Sequence, residues 1–555
     1  MNFDPKMSKN EHMKREKDGL DVWPDLARFA QLGFNSINKD DLLRLRWFGI
    51  YQQKPNDSGY FMWRIKLPGG RLTPAQLREI GRITHAYARG FGDITTRQDI
   101  QLHWMAIEAF PDAFARIDRV GLYTTFACGD TPRNTCSCPL DGVIKNQIVP
   151  LGNLVKQISD MYRDAGKALS NLPRKFKTAI GACPIHCHQP QINDLSTFGV
   201  VRTHNGKIER GLGVMVGGGL SDTPHYAQGL RIFIPAEKVQ EQIPRIFMAI
   251  AELFRDADEL RYKRGRARLK FLVADKGWRW VRDDLERRLG VALEHDDSIV
   301  NPSGALHGDH VGVGEQVDGL CYVGAAVPRG RWTADQMRSV ADIAERHAAP
   351  EKAQIRLSQK QNLLLVNIPR ENIDAVQKEL EDIGLSPKAP LWRQSLVSCT
   401  GNQFCNLAVV ETKERAREVL EYLENEISID TPIMVSLSGC PNSCAQYQIA
   451  DIGLTGIPSI HEGRKQDGYN ILVGGCLGEN PEFGVELFRK VPAVLVKKVI
   501  GTLVENYKKN RITEEDGEPE PFREFVARHE VEQLRAWAQI PEWTPPPARE
   551  KTATK

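Results

Sequence analysis

The stretch SGCPNSCAQYQIADIG, residues 438–453, places two cysteines four positions apart just before an apolar-patterned run. Cys440 and Cys444, with Pro441 between them, have the spacing of half a metal site, although a disulfide or an unreactive pair would have it too. An earlier stretch, GACPIHCHQPQINDL (181–195), repeats the pattern, and its Cys183 and Cys187 precede the later pair by 257 positions each. The sequence therefore predicts one local structure built twice.

Two further segments support an internal duplication. MVGGGLSD (215–222) and LVGGCLGE (472–479) are again 257 positions apart, and LPGGRLTPAQLREIGRI (67–83) resembles VPRGRWTADQMRSVADI (327–343). Alternating and β-branched residues predict strands, and three-to-four spacing predicts helices. The order strand, glycine turn, helix, strand, helix is typical of a ferredoxin-like α+β unit. We expect an α+β protein in which two ferredoxin-like modules alternate with two larger α/β modules.

The repeats also predict where the modules begin and end. The predicted segments are an N-terminal extension (1–45), ferredoxin-like half-domain 1 (46–121), large module 1 (122–295), ferredoxin-like half-domain 2 (315–391), large module 2 (392–510) and a C-terminal tail (511–555), of which EWTPPPAREKTATK is expected to be disordered.

Bulk composition excludes several classes of protein. A chain of 555 residues is long enough for roughly three to four domains. A net charge of +3 is not a nucleic-acid signature. The apolar runs are too short to span a bilayer, and the charged N-terminus has no apolar signal core, so we expect a cytoplasmic protein without membrane contact. Eleven clustered cysteines in a reducing compartment favour metal or redox chemistry over a disulfide framework.

The other half of the cysteine site stands upstream, in SCTGNQFCNLA (398–408). Cys399 and Cys405 form C-x5-C, followed after about thirty-four residues by the C-x3-C of Cys440 and Cys444. Tetrahedral zinc sites prefer C-x2-4-C knuckles, so the wider spacing argues against zinc. A cubane iron–sulfur cluster needs four thiolates on a wider sphere, which loops of this width can supply. Disulfide pairs are the remaining alternative.

C-x5-C followed by GCPNSC resembles the signature of the sirohaem-dependent nitrite and sulfite reductase family, and residues 45 to 510 follow that family's duplicated layout. The resemblance implies that the large modules bind sirohaem and that Cys399, Cys405, Cys440 and Cys444 hold a [4Fe-4S] cluster. It also implies that Cys444 is the axial ligand of the sirohaem iron. A sulfur shared in this way would couple two redox centres that must deliver six electrons.

The resemblance also implies a set of cations, because sirohaem carries eight carboxylates and the substrate is an oxyanion. Arg64 and Arg133 match residues that orient and polarise the anion, and Arg97 matches a partner of the sirohaem carboxylates. Lys175 and Lys177 alternate on a predicted strand, so both can face one pocket, where they would stabilise oxide charge and pass protons. Taken singly, each of these residues could be an ordinary surface charge.

The first repeat also carries cysteines, namely Cys128, Cys136, Cys138, Cys183 and Cys187. We aligned Cys128 with Cys399. These thiols allow a second cluster or metal site in the first repeat, and the alternative is a relic of duplication buried as small apolar side chains. The histidines near them, His186, His188, His307 and His310, are expected to be solvated loop residues rather than ligands.

The substrate is predicted to be nitrite, reduced to ammonia, because CTGNQFC resembles ferredoxin-dependent nitrite reductases. Sulfite is the alternative, because the second lysine of PRKFK resembles sulfite reductases and suits a dianion. No Gly-rich nucleotide motif follows a strand, so the family's external donor, ferredoxin, is expected. The basic N-terminus (Lys6, Lys9, Lys14, Arg15, Lys17) would steer it or form a disordered leader. A non-catalytic protein that handles clusters or sirohaem should have lost Arg133 or the lysines.

Overall fold

The computed structural model describes residues 4–304, 308–513 and 517–546. The chain divides into two compact units. The first runs to Ala389 and includes Leu477–Glu479, and the second comprises Pro390–Cys476 and continues from Asn480. His307, one of the histidines considered above, lies outside the described residues, as does the end of the chain from residue 547.

The first unit contains two ferredoxin-like halves and one large module. Its helices and strands are α1 (Lys9–Glu16), α2 (Leu26–Leu32), α3 (Lys39–Arg44), β1 (Ile50–Gln52), β2 (Tyr60–Ile65), β3 (Arg71–Leu72), α4 (Pro74–Tyr87), β4 (Phe91–Ile94), β5 (Ile100–Ala106), α5 (Phe110–Arg119), β6 (Pro132–Ser137), α6 (Leu154–Asp164), β7 (Phe176–Ile180), β8 (Leu195–His204), β9 (Lys207–Val216), β10 (Gln228–Gly229), β11 (Ile232–Pro235), α7 (Val239–Asp256), α8 (Leu269–Leu289), β12 (Glu294–His295), β13 (Gly312–Glu315), β14 (Cys321–Ala325), β15 (Arg331–Thr333), α9 (Ala334–His347), β16 (Gln354–Leu357), β17 (Leu363–Ile368) and α10 (Ile373–Asp382).

The second unit is a single large module. Its elements are α11 (Leu391–Ser395), β18 (Leu396–Ser398), α12 (Lys413–Glu426), β19 (Val435–Ser438), β20 (Ile452–His461), β21 (Arg464–Val473), β22 (Val485–Pro492), α13 (Val496–Asn510), α14 (Phe522–Ala527) and α15 (Val531–Ala538). The duplicated α+β fold expected from the sequence, with two ferredoxin-like halves and two large modules, is confirmed.

The two ferredoxin-like halves exchange strands. The first sheet has the order β1-β2-β5-β4-β15 and the second β13-β14-β17-β16-β3, so each half lends the short strand after its glycine turn to the other. The same turns lead into α4 and α9, which begin with capping boxes built on Thr73 and Thr333. These helices pack closely because Gly81 lacks a side chain: a Cβ there would lie 3.0 Å from the carbonyl oxygen of Ala334. One apolar core therefore spans both halves.

Each large module is built on a mixed sheet. In the first unit β6, β7 and β8 run parallel and β8 then pairs antiparallel with β9, and β18 to β21 repeat this order in the second unit. The repeat is accurate to the residue, because Leu195–His204 and Ile452–His461 are strands of equal length 257 positions apart. The carboxyl ends of the parallel strands are the natural place for a site.

Both chain ends are more ordered than the sequence suggested. Residues 4–45 carry α1 to α3, with Val22 and Phe29 wholly buried, so the expectation of a disordered leader is wrong for this segment. In the segment expected to be a tail, α14 and α15 bury Phe525 and Leu534 against the second core. Within the described ranges, no helix is long and apolar enough to cross a membrane.

Candidate functional site

The topology of the second unit brings two of the four predicted cluster cysteines together. Cys399 directly follows β18 and Cys440 follows β19 by two residues. These strands are parallel neighbours in which Ser398 pairs with Leu437, so both cysteines leave the same edge of the sheet. Cys405 and Cys444 lie in the loops that follow. All eleven cysteines of the chain are thiols, with no disulfide among them, so the disulfide alternative is wrong for the described structure.

The environment of these thiols suits soft metal ligands. The sulfur of Cys399 accepts a hydrogen bond from the Gly439 amide at 3.2 Å, as cluster thiolates do. Burial and then the charge of Cys444 raise the pKa of Cys399 to about 12, and burial also raises the pKa of Cys405. Cys440 is buried, whereas Cys444 is exposed. Thiols that are partly shielded from water and whose charges act on one another fit a metal cluster, which displaces their protons on binding.

The first unit holds the predicted arginines side by side. Nη1 of Arg64, on β2, and Nη1 of Arg133, on β6, both donate to the carbonyl oxygen of Ala127, at 3.5 and 3.1 Å. Arg133 also grips the carbonyl of Gly129 through Nε and Nη2, at 3.2 and 2.9 Å. Both side chains are only half-buried, which leaves part of each guanidinium accessible, as contact with an anion would require.

The predicted lysines lie at the start of β7. Lys177 is the second residue of the strand and Lys175 directly precedes it, and both are half-buried beside the wholly buried Phe176. The backbone of Lys177 is fixed by Asp194, whose Oδ2 accepts the Lys177 amide at 2.8 Å and whose amide donates to the Lys177 carbonyl at 2.9 Å. Asp194 is itself buried and ion-paired with Arg268 at 2.8 Å. The backbone of Lys177 is therefore fixed at the start of β7.

Arg97 lies in the turn between β4 and β5 and reaches the large module. Its guanidinium donates to Asn193 Oδ1 at 2.8 Å, to the Thr178 carbonyl at 3.0 Å and to the Asn134 carbonyl. Its Nε is buried and has no hydrogen-bond partner among the described residues. An acidic group would satisfy this buried donor, which suits the expected carboxylate partner.

Positive charge accumulates around this region. The pKa of Arg174 is lowered to about 10, first by burial and then by the guanidinium of Arg264, with Arg268 and Arg133 adding to the effect against the opposing charge of Asp130. Cations that crowd one another in this way gain from any bound anion. The chemistry of the side chains therefore fits both a polycarboxylate cofactor and an oxyanion.

Sequence reasoning missed residues that surround these cations. Tyr51, on β1, lies under the guanidiniums of Arg46 and Arg64, with 5.2 and 5.7 Å to the ring centroid. Burial first, and then the neighbouring Cys128, raise its pKa. No sequence motif marks Tyr51. Asp194 could have been found from the repeat, because Asp451 stands 257 positions after it. In the structure Asp451 accepts the amide of Met434, the counterpart of Lys177, at 2.7 Å.

The cysteines of the first repeat separate into two groups. Cys128 receives a hydrogen bond from Arg64 at 3.2 Å, and the charges of Arg97 and Lys177 act on Cys136. Cys138 and Cys187 instead lie beside His310, with their ligating atoms within 4.8 Å of one another.

The alignment of Cys128 with Cys399 is wrong. Ser137 pairs with Ile180 as Ser398 pairs with Leu437, so the residue that corresponds to Cys399 is Cys138.

The expectation for the loop histidines is also wrong. His186, His188 and His310 are buried rather than solvated. Burial lowers the pKa of His188 to about 3, so this imidazole is neutral, and its Nε2 lies 2.8 Å from the Thr197 carbonyl.

A duplicated α+β chain with two thiols at neighbouring strand ends, two more in the loops that follow, and crowded cations in the other unit is typical of one class of protein: redox metalloproteins that handle anions. Comparison with known proteins narrows this class. The family model for the nitrite and sulphite reductase 4Fe-4S domain matches residues 128–293 and 393–544, and that for the nitrite/sulfite reductase ferredoxin-like half domain matches 52–120 and 313–383.

Several relatives match nearly the whole chain. A "Sulfite reductase [ferredoxin] 2" of Mycolicibacterium paratuberculosis is 35% identical, covering 95% of this chain and 96% of the relative. An "Assimilatory ferredoxin-dependent nitrite reductase" of Haloferax mediterranei is 34% identical, covering 94% and 91%. Among solved structures, that of the NirA protein of Mycobacterium tuberculosis matches with a TM-score of 0.87 at 34% identity, covering 95% and 98%.

The chain belongs to the nitrite and sulfite reductase family. It is a ferredoxin-dependent nitrite or sulfite reductase, and its cofactors are sirohaem and a [4Fe-4S] cluster.

Proposed function

We propose that this enzyme reduces nitrite to ammonia with six electrons from reduced ferredoxin. The observation that carries the proposal is the set of cations in the first unit, where Arg64 and Arg133 share the Ala127 carbonyl and the half-buried Lys175 and Lys177 lie at the start of β7. Together the two cofactors supply single electrons to an iron that binds the anion. A non-catalytic relative would not need these four cations.

Each residue has a distinct proposed role. Arg64 and Arg133 orient the anion, since a planar fork matches two oxygens at once. Lys175 and Lys177 stabilise the charge that develops on departing oxygen and donate protons from their ammonium groups. Arg97 holds a carboxylate of the sirohaem through its buried Nε.

The metal ligands are proposed from the second unit alone. Cys399, Cys405, Cys440 and Cys444 would bind the [4Fe-4S] cluster as thiolates. Cys444 is the exposed member of the set, which would leave its sulfur accessible for a second role as a ligand of the sirohaem iron. Cys440, the buried member, would lie on the side of the cluster away from water.

Sulfite is the second candidate. Lys177 adds a positive charge that suits a dianion, and the mycobacterial relatives are named sulfite reductases. Nitrite is preferred because the CTGNQFC loop resembles nitrite reductases, and because a relative of Leptolyngbya laminosa at 33% identity is named a ferredoxin–nitrite reductase.

The test is the ratio of kcat/KM for the two anions, measured on purified protein with reduced ferredoxin and with ammonia and sulfide quantified as products. A ratio of at least about 10 in favour of nitrite supports the proposal, and a ratio in favour of sulfite overturns it. Ferredoxin as donor predicts a rate that falls as salt rises, because docking between charged surfaces is screened. A salt-independent rate contradicts docking by charge.

A further inference from the structure

The first unit holds a second group of metal-binding side chains that the proposed reaction does not use. The sulfurs of Cys138 and Cys187 and an imidazole nitrogen of His310 lie within 4.8 Å of one another, and all three residues are buried. Cys183 packs in the same buried cluster as Cys138 and Cys187 and adds a fourth donor. We propose that Cys138, Cys183, Cys187 and His310 bind one zinc ion in a tetrahedral Cys3His site.

The spacing of the donors suits a single ion. Zinc binds sulfur at about 2.3 Å and imidazole nitrogen at about 2.0–2.1 Å, so tetrahedral geometry places neighbouring donor atoms roughly 3.5–3.8 Å apart. The donor atoms of Cys138, Cys187 and His310 are at most 4.8 Å apart, a separation that small side-chain rotations close, and Cys183 would turn toward them as the fourth donor. In a cubane each thiolate binds a different iron, which requires a wider arrangement.

His310 supplies independent support. Its side chain is buried, with 8% of the residue exposed, and its Nε2 has no hydrogen-bond partner among the described residues. The loop that carries it is fixed, since Oδ1 of Asp309 accepts the His310 amide at 2.8 Å and Oδ2 accepts Asn362 Nδ2 at 2.7 Å. A buried, fixed imidazole with an unsatisfied nitrogen beside three thiols is what a metal ion would complete.

The duplication explains where this site came from. Cys138, Cys183 and Cys187 occupy the strand-end positions that Cys399, Cys440 and Cys444 occupy in the second unit. No cysteine stands between 138 and 183, so the counterpart of Cys405 is missing. His310, from the segment before β13, takes its place as the fourth donor. Leu140 and Leu364 close the site from water.

The site would have a structural role. The ion would join three parts of the first unit: the end of β6, the loop after β7 and the segment leading to β13. A structural zinc site has all four positions filled by protein, leaving none open for substrate. The proposal is thus independent of whether nitrite or sulfite is reduced.

The test is metal quantification on purified holoenzyme by plasma mass spectrometry, with zinc K-edge X-ray absorption. We expect about one zinc per chain beside about five irons from sirohaem and one cubane, with three sulfurs and one nitrogen around the zinc. His310→Ala should lose at least about 80% of the zinc, His310→Cys should retain it, and Cys321→Ala, a buried cysteine outside the group, serves as the matched control.

Three results would overturn the proposal. Wild-type protein with less than about 0.2 zinc per chain is one, and it needs no variant to fold. About nine irons per chain, meaning a second cubane, is another. Zinc retained in full by His310→Ala, or removed by a brief chelator wash of the wild type, would show an adventitious ion only.

Discussion

Lys66 gives a direct test of the electrostatics described above, because its ammonium is buried beside the anion-binding cations. Its Nζ has no hydrogen-bond partner among the described residues and lies 5.4 Å from the ring centroid of Tyr123. Burial lowers the pKa of Lys66 from 10.5 to about 7, and although Asp99 opposes this effect, Arg133 adds to it. We expect Lys66→Met, which keeps the size of the side chain, to stabilise the protein.

The magnitude follows from proton linkage. Below pH 7 Lys66 is charged in both the folded and the unfolded chain. The lowered pKa then reduces the free energy of unfolding by about 5 kcal/mol. Between pH 7 and 10.5 the unfolded chain binds the extra proton, so stability rises with pH by about 1.4 kcal/mol per unit and the cost disappears. At pH 7 the cost is about 4 kcal/mol. Asp99 would lose a favourable charge in the variant, so we expect a net gain of at least about 2 kcal/mol.

The assay is the apparent Tm of wild type and Lys66→Met at equal cofactor loading, measured at pH 7, 8, 9 and 10. The variant should melt a few degrees higher at pH 7, and the difference should shrink steadily toward pH 10. Lys238→Met, an exposed lysine of the same unit, is the matched control and should show neither effect. If Lys66→Met does not raise Tm at pH 7, or raises it equally at all four pH values, the lowered pKa of Lys66 does not reduce the stability of the protein.

Three further substitutions test the site itself. Cys444→Ser should abolish the visible absorption bands of the bound cofactors and the reduction of the anion, and it should lower the iron content. The control, Cys321→Ser, should change none of these. Normal iron content and colour in Cys444→Ser would contradict a role of Cys444 as a cluster ligand. Arg133→Lys should raise KM for nitrite about tenfold, because the two-pronged contact is lost; an unchanged KM in steady-state kinetics would remove this residue from the anion site. Arg268→Met should cost about 3 kcal/mol by leaving Asp194 as an unpaired buried charge, seen as a lower Tm that Asp194→Asn partly restores.

Local patterns in the sequence predict the duplicated α+β fold. The repeat offset of 257 predicts one local structure built twice, and the structure has Leu195–His204 and Ile452–His461 as strands of equal length at that offset. The exchange of β3 and β15 between halves was not foreseen. Strands of two and three residues carry almost no periodic signal, and only a partner distant in sequence decides which sheet they join.

The candidate site was foreseen unevenly for the same reason. The four predicted cluster cysteines stand in two short motifs, and the ends of β18 and β19 bring Cys399 and Cys440 together. His310 is 123 positions from Cys187, with no repeat counterpart and no spacing that links it to a thiol. Only the folded chain places it there. The misalignment of Cys128 has a similar cause. Only the pairing of neighbouring strands shows that Cys138 is the counterpart of Cys399, and the loop sequences do not reveal that pairing.

The N-terminal segment shows how distant sequence controls the geometry of the anion site. Lys14 was considered as a surface charge, yet it is buried, paired with Glu11 at 2.6 Å and with Asp130 at 3.4 Å. Asp130 lies three residues before Arg133. Arg264 donates two hydrogen bonds to the Asp130 carboxylate, at 2.6 and 2.7 Å. Although burial alone would raise the pKa of Asp130, Lys14 and Arg264 lower it to about 2, so the carboxylate stays charged. Through Lys14, helix α1 therefore contacts the loop of Asp130, which leads into the strand of Arg133. Residues 4–45 thus stabilise the surroundings of Arg133 as the repeats do.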